Sequence, residues 1–282
     1  HVVDGMDPYY PEYFEGKEDL TAYRHYFETL LDCVKEFDNF KIVQVSDLHN
    51  KSYGKGNERL LQEIRSQDPE AVLIGGDLLT SADPPQMEAA LDLMKELTRW
   101  YPVYAVNGNH EQRLKEQTEK YGDAYDRYSQ AIRSFGVHLL ENTSEYAEFC
   151  RMPFRIWGYE LPLDYYRRGR SFTLMTEQVT EALGIPKEGC CNVLLAHNPV
   201  YFDAYAAWGA DLTLSGHLHG GIVRLPLLGG VISPQMKLFP DYTRGCYTKE
   251  NHRMIVGAGL GSHTIPIRIN NPPELVVIDV MN

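Results

Sequence analysis

Five short apolar runs in this chain each stop at a small-residue turn that carries a carboxylate, an amide or an imidazole. "KIVQVS" leads to Asp47 and His49, "AVLIGG" to Asp77, and "PVYAVNG" to Asn109 and His110. "CNVLLA" leads to His197, and "ADLTLSG" to His217 and His219. Brief runs rich in Val, Ile and Leu, bounded by Gly, Ser and Asn, read as buried strands. Helical periodicity fills the gaps between the first three. Residues 57–67 fit a helix that ends before Asp68-Pro69, and about 85–100 fit another, with Met87, Ala90, Leu91, Met94 and Leu97 on one face. Alternating buried strands and amphipathic helices predict an α/β layered fold. In such folds the carboxyl ends of the strands are where ligands bind, so one edge can collect all eight side chains in one cleft.

The two ends of the chain read differently. Residues 1–40 are polar and aromatic and suggest an irregular arm followed by a helix, with Tyr23, Phe27, Leu30, Leu31 and Val34 near helical spacing. Residues 41–282 read as one catalytic domain. Its last part, "HRMIVGAGLG" and "IPIRINNPPELVVIDV", is strand-rich and fits a second sheet or outer strands. No internal repeat, low-complexity tract or linker follows residue 40.

Composition narrows the partners. With 39 acidic and 27 basic side chains the formal charge is -12, which argues against broad contact with nucleic-acid phosphates. A phosphorylated substrate stays open, because bound cations reverse the field locally. The cysteines Cys33, Cys150, Cys190, Cys191 and Cys246 form neither a paired C-x-x-C pattern nor a disulfide framework, and favour a reducing compartment. No apolar run is long enough to span a bilayer. The chain opens at His1 rather than Met, which leaves room for an anchor or signal upstream of it.

The donor set is chemically specific. Carboxylate oxygens with imidazole nitrogens suit divalent first-row metals, and the lack of thiolates argues against a structural zinc site. Seven ligands exceed the needs of one tetrahedral ion. They suit two ions sharing a bridge, about 3.5–4 Å apart, which can clamp a phosphoryl group and ionise a water. Each element alone has a bland reading: Asp-x-His as a surface pair, Gly-Asn-His as a turn, a strand-end histidine as a hydrogen-bonded structural residue. Those readings leave unexplained why half of the 10 histidines fall in the set. His1, His25, His138, His252 and His263 lack such company and are expected to be structural or solvated.

"SDLH", "GGD", "NGNHE", "AHNP" and "SGHLHGG" resemble, in order, the five signature blocks of calcineurin-like metallophosphoesterases, over residues 41–221. The resemblance implies a two-sheet β-sandwich flanked by helices and a dinuclear metal centre. Asp47, His49 and His219 would hold one ion, Asn109, His197 and His217 the other, and Asp77 would bridge them. His110 would be the catalytic general acid, its protonated form favoured by a nearby phosphate dianion. A metal-bound hydroxide would attack phosphorus. Manganese heads the candidate ions, ahead of iron, zinc and nickel.

The tail segments "HGGIVRLPLLGG" and "GLGSHTIPIRINNPPELVVI" resemble a bacterial, membrane-associated subgroup. It is related to UDP-2,3-diacylglucosamine pyrophosphatases of lipid A synthesis and to cell-envelope phosphodiesterases. This implies a phosphodiester or pyrophosphate substrate, small and phosphorylated or lipid-linked, and a membrane-associated full-length protein. The alternatives are a nucleotide or cyclic-nucleotide phosphodiesterase, and a non-catalytic envelope-binding protein on the same fold. One departure concerns Thr80, where many relatives carry an aspartate suited to orienting the acid histidine. Among remaining features, "YYRRGR" (Tyr165 to Arg170) reads as a grip for phosphate or a lipid head group, or as a solvated loop, the latter favoured. Arg224 is near enough in sequence to reach the cleft, and the tyrosines of 121–128 are expected to pack.

Overall fold

A computed structural model of the protein describes residues 22–29 (backbone only), 39–167, 172–221, 223–225, 229–232, 240–262 and 268–281. Its centre is a pair of six-stranded sheets. In the first sheet the order is β1 (Ala22–Thr29), β14 (Glu274–Met281), β2 (Phe40–Val45), β3 (Ala71–Ile74), β4 (Val103–Ala105) and β5 (His138–Leu139). In the second it is β12 (Gly245–Lys249), β13 (His252–Val256), β9 (Leu212–Ser215), β8 (Cys191–Ala196), β7 (Met152–Tyr159) and β6 (Thr143–Phe149). A separate hairpin joins β10 (Val223–Leu225) to β11 (Gly229–Ile232). Strands β2 to β5 run parallel, as do β7, β8, β9 and β13, while β14, β6 and β12 run against their neighbours β2, β7 and β13.

Side-chain alternation explains the continuous apolar runs. Ile42 and Leu73 point between the sheets, against Phe154, Ile156, Val193, Leu195 and Leu214. Their sequence neighbours Val43, Val45, Val72 and Ile74 point outward, beneath Leu60, Ile64, Leu93, Met94, Leu97, Tyr128 and Ile132. Those last residues belong to α1 (Glu58–Gln67), α2 (Glu88–Leu97) and α5 (Ala124–Ser134). The outer face of the second sheet buries Trp157, Leu194 and Ala196 under Val179, Tyr205 and Trp208. These come from α6 (Thr176–Leu183) and α7 (Phe202–Trp208). The central strands are therefore covered on both faces, which removes any need for polar alternation. The layering is helix, sheet, sheet, helix, as expected.

The two helices read from periodicity occur with shorter ends. α1 stops at Asp68, which takes a left-handed φ of 51° just before Pro69. α2 starts only at Glu88, after Pro84 and Pro85. Short α3 (Asn109–Glu116) and α4 (Thr118–Tyr121) follow β4. The tyrosines of 121–128 do pack, with Tyr121, Tyr125 and Tyr128 all buried.

The amino-terminal region differs from the reading of its spacing. Ala22–Thr29 is a strand, not part of a helix, and pairs in parallel with β14 from Ala22↔Glu274 to Thr29↔Met281. Helical spacing there competes with a ladder of backbone hydrogen bonds offered by β14, whose flank would otherwise be an open sheet edge. The rest of the expected arm and helix, residues 1–21 and 30–38, lies outside the described residues. No helix among the described residues is long and apolar enough to cross a membrane.

Candidate metal centre

The eight side chains follow directly from the strand ends. β2, β3 and β4 of the first sheet lead to Asp47 and His49, Asp77, and Asn109 and His110. β8 and β9 of the second lead to His197, and to His217 and His219. Asp47, His49, Asp77, His217 and His219 all take left-handed φ values, between 49° and 69°. Such a backbone costs roughly 1–2 kcal/mol per non-glycine residue and collects at functional sites, where surrounding contacts hold it. Here those contacts cross between the sheets. The His217 N–H donates to Asp47 Oδ1 at 3.0 Å, and Gln44 Nε2 donates to Ser215 O at 2.8 Å. Gly216 and Gly108 allow the close approach, since a Cβ on either would strike the carboxylate of Asp47 or Asp77.

The side chains fall into two groups. Asp47, His49 and His219 form one and Asp77, His197 and His217 the other, with the ligand atoms of each group within 4.8 Å of one another. In the first, His49 Nε2 and His219 Nε2 are 3.0 Å apart, and His219 Nε2 is 3.3 Å from Asp47 Oδ1. In the second, His197 Nε2 is 3.2 Å from Asp77 Oδ2. The same Asp77 oxygen is 3.9 Å from His49 Nε2, so it faces both groups. His49, Asp77 and His110 make a third, overlapping triad.

The donor set fits divalent cations. His197 gives its Nδ1 proton to Gly75 O at 2.7 Å, which leaves the Nε2 lone pair for the centre. That Nε2, although 3.2 Å from Asp77, lacks hydrogen-bond geometry to it and is buried without a hydrogen-bond partner. Asn109 Oδ1 is buried in the same condition at the start of α3. Unsatisfied buried polar atoms cost about 1–3 kcal/mol each, and a cation ligated by them removes that cost.

Charge is finely balanced without a metal. Burial pushes Asp47 up to about 6, with His197 opposing it and Asp77 adding to it. Burial would raise Asp77 too, but His197, His110 and His49 together hold it well below the usual carboxylate range. Burial disfavours the His197 cation, yet Asp77 and Asp47 outweigh it and bring the ring up to about 10. A proton on His197 thus does the work of a cation beside two buried carboxylates.

His110 is oriented by a residue that sequence reasoning missed. Its Nδ1 accepts from the Ser81 N–H at 2.9 Å and lies 3.0 Å from Ser81 Oγ. Arg113 Nη1 donates to that Oγ at 2.7 Å, which turns the hydroxyl proton toward the ring. Thr80, the departure noted in the sequence, has a buried Oγ1 with no hydrogen-bond partner among the described residues. With Nδ1 accepting, the ring carries its proton on Nε2 as a neutral donor, and burial, the largest influence on it, also lowers its basicity. In this geometry the ring favours a neutral Nε2–H tautomer, because an imidazolium would set its Nδ1–H against the Ser81 N–H, so the protonated acid expected beside a phosphate dianion would have to break that contact.

Glu111, inside "NGNHE", was also missed as a site residue. Its buried carboxylate accepts from the N–H groups of Asp77 (2.9 Å), Leu78 (2.8 Å), Leu79 (3.2 Å) and Gly108 (3.0 Å). It ties the Asp77 turn to the start of α3. Burial and then the Asp77 charge push it up to about 7. On the far rim, Arg268 Nη2 lies 3.2 Å from His219 Nδ1 and donates to Gly259 O and Gly261 O. Nothing in their spacing announced Ser81 or Arg268. A carboxylate at the first turn of α3 is the one signal that could have marked Glu111.

Other expected features scatter. His138 pairs with Glu145 at 2.5 Å, and His252 bonds Ala210 O at 2.7 Å, both structural roles. In "YYRRGR", Tyr165 and Tyr166 pack against the core, Arg167 is exposed and pairs with Asp164 at 2.9 Å, and residues 168–170 lie outside the described residues. Arg224 sits on β10, with its backbone N–H on Ile269 O at 3.0 Å. Among the described residues no disulfide joins Cys150, Cys190, Cys191 and Cys246.

Comparisons with known proteins agree with this geometry. The chain is 26% identical over 265 residues to the metallophosphoesterase YkuE of Bacillus subtilis, covering 90% of this chain and 85% of that one. It is 25% identical over 245 residues to the phosphodiesterase YaeI of Escherichia coli, covering 86% and 82%. It is 22% identical over 273 residues to the UDP-2,3-diacylglucosamine pyrophosphatase LpxG of Chlamydia muridarum, covering 84% and 82%. The family model for calcineurin-like phosphoesterase matches residues 40–221, from the first residue of β2 to the second glycine after His219. With that match over most of its length, the chain belongs to the calcineurin-like phosphoesterases and is a metal-dependent phosphoric ester hydrolase.

Proposed function

We propose that the protein hydrolyses a phosphodiester or pyrophosphate bond at a centre of two divalent ions, on a lipid-linked or envelope-related substrate. One observation carries the dinuclear reading: Asp77 Oδ2 faces His197 Nε2 at 3.2 Å and His49 Nε2 at 3.9 Å, one nitrogen from each group. In this reading Asp47, His49 and His219 hold one ion, Asn109, His197 and His217 hold the other, and Asp77 is shared. When bound, such ions supply Lewis acidity and an ionised water. Nitrogen and oxygen donors without thiolate suit manganese, with iron, zinc and nickel as alternatives.

The protein's own residues then do three things. Gly75 O orients the His197 ring, and the Gly216 N–H on His197 O at 3.0 Å ties the turn that carries His217 and His219 to it. Glu111 fixes the Asp77 turn against α3. His110, beside His49 with ring centroids 4.8 Å apart, presents its Nε2–H to the phosphoryl group or the departing oxygen. The names of YaeI and LpxG support a diester or pyrophosphate substrate and, for LpxG, a lipid-linked one. Membrane association of the full-length protein belongs to the same reading and is tested by fractionating cells that express it.

The deciding experiment loads the protein with each metal and offers nucleoside diphosphate–lipid sugars, cyclic nucleotides, glycerophosphodiesters and phosphomonoesters. The reading expects diesters or pyrophosphates with a lipid or sugar moiety to be cleaved fastest. A clear preference for cyclic nucleotides would replace the substrate class. Failure to cleave any of them, or bis(p-nitrophenyl) phosphate, would favour a binding role.

A further inference from the structure

Tyr166 closes the side of the centre where Asp77, His197 and His217 meet. Its ring centroid lies 5.0 Å from that of His217, edge-on at 74°, and 6.1 Å from that of His197. The residue ends the 3-10 turn Leu163–Tyr166, which packs against α3, the helix that begins with Asn109 and His110. The turn is pinned from behind. Tyr201 donates its hydroxyl to Tyr165 O at 3.0 Å, and the Tyr165 hydroxyl accepts from Gln178 at 3.0 Å.

Several tyrosines around this site use their hydroxyls. Tyr121 donates to Ser81 O at 2.9 Å, Tyr205 to Asn198 O at 3.0 Å and Tyr53 to Leu260 O at 2.5 Å. Tyr125 donates to Glu141 at 2.6 Å. The Tyr166 hydroxyl has no partner among the described residues, although its ring is only partly accessible. A phenol spared from the internal network, beside two imidazoles of the centre, is placed to serve something that enters it.

We propose that Tyr166 is a catalytic residue whose hydroxyl donates a hydrogen bond to a non-bridging oxygen of the bound phosphoryl group. This rests on the phosphoesterase reading above and adds a donor beside His197 and His217. An unperturbed phenol titrates near about 10, so the hydroxyl is a donor at neutral pH. Its bond strengthens as negative charge builds on the phosphoryl oxygens, which places its effect on turnover more than on substrate capture.

Tyr166→Phe removes the hydroxyl and keeps the ring on His217. The manganese-loaded variant is compared with wild type for kcat and KM on bis(p-nitrophenyl) phosphate, for affinity toward inorganic phosphate, and for metal content and melting temperature. The expected result is a kcat lower by about 10–100-fold, phosphate affinity lower by about tenfold, and metal content and melting temperature unchanged. Tyr146→Phe, which removes an exposed hydroxyl that serves Glu148 away from the centre, is expected to match wild type. If Tyr166→Phe keeps kcat and phosphate affinity within twofold of wild type, the ring only packs and the proposal is wrong. A wild-type protein that binds phosphate but hydrolyses nothing overturns the phosphoesterase reading, while the phosphate arm still decides the donor. If it does neither, both fall.

Discussion

Ser81 gives its backbone N–H to Nδ1 of His110 at 2.9 Å, and its hydroxyl, itself held by Arg113, stands 3.0 Å from the same nitrogen. The ring is thereby fixed as a donor from Nε2. A donor that protonates or stabilises a departing oxygen matters most when that oxygen is a poor leaving group. Ser81→Ala should slow hydrolysis of alkyl phosphodiesters by about tenfold and of p-nitrophenyl esters by less than about twofold. A leaving-group series read as a Brønsted plot checks this, the slope becoming steeper in the variant. Thr80→Val, which deletes a buried hydroxyl without a partner, should leave the plot unchanged.

Glu111→Gln should disturb the Asp77 turn. An amide NH2 would replace one oxygen of a carboxylate that accepts four backbone N–H groups. At least one donor is then left facing another, at a cost of about 1–3 kcal/mol. Divalent-ion affinity should drop by about 10–100-fold because the shared carboxylate is no longer held. Chemical denaturation and calorimetric titration with Mn2+ measure the two effects separately.

Metal binding should release a proton at neutral pH. His197, brought up to about 10 between Asp77 and Asp47, carries a proton that a cation must displace. Calorimetry in buffers of different ionisation enthalpy should report about one proton released at pH 7. Stripping the ions should lower the melting temperature, and restoring them at a hundredfold excess over Kd should return about 2.7 kcal/mol per ion. Asp77→Ala should abolish that recovery and cut activity by about a hundredfold or more. Retained activity would remove Asp77 from the shared position.

Away from the proposed metal ligands, Glu141 sets an acid limit on stability. It accepts from Lys115, Tyr125 and Arg133, each at 2.6 Å. Burial alone would raise it, but these donors outweigh burial and hold it below its ordinary 4.5. A depressed carboxylate contributes stability above its unfolded-state value and loses it as pH falls through the folded one. Glu141→Gln should therefore cost about 1 kcal/mol at neutral pH, the figure being small because the pair is partly screened by solvent. The difference from wild type should narrow as pH falls below 4.5 and close as it passes through the lower folded-state value. Urea unfolding at neutral and acid pH tests both halves.

The layered α/β fold and the eight strand-end side chains could be picked out from the chain alone. Both rest on local information: a buried strand shows itself in its apolar run, and a ligand-bearing turn in the residues directly after it. What local spacing could not carry was contact between distant segments. Ala22–Thr29 shows helical spacing yet forms a strand, because β14, about 250 residues later, offers it a ladder. Ser81 and His110 meet only because the Asp77 loop folds over α3, and Glu111 reaches four amides on two different turns. His217 and His219 show the division most plainly. Their spacing marks a pair, but His217 stands with Asp77 and His197 while His219 stands with Asp47 and His49. That separation arises because the turn after β9 meets the turn after β2 across the junction of the two sheets, where the His217 N–H binds a carboxylate 170 residues away. Periodicity is written in neighbours, whereas a site between two sheets is built by packing that brings remote turns to one rim.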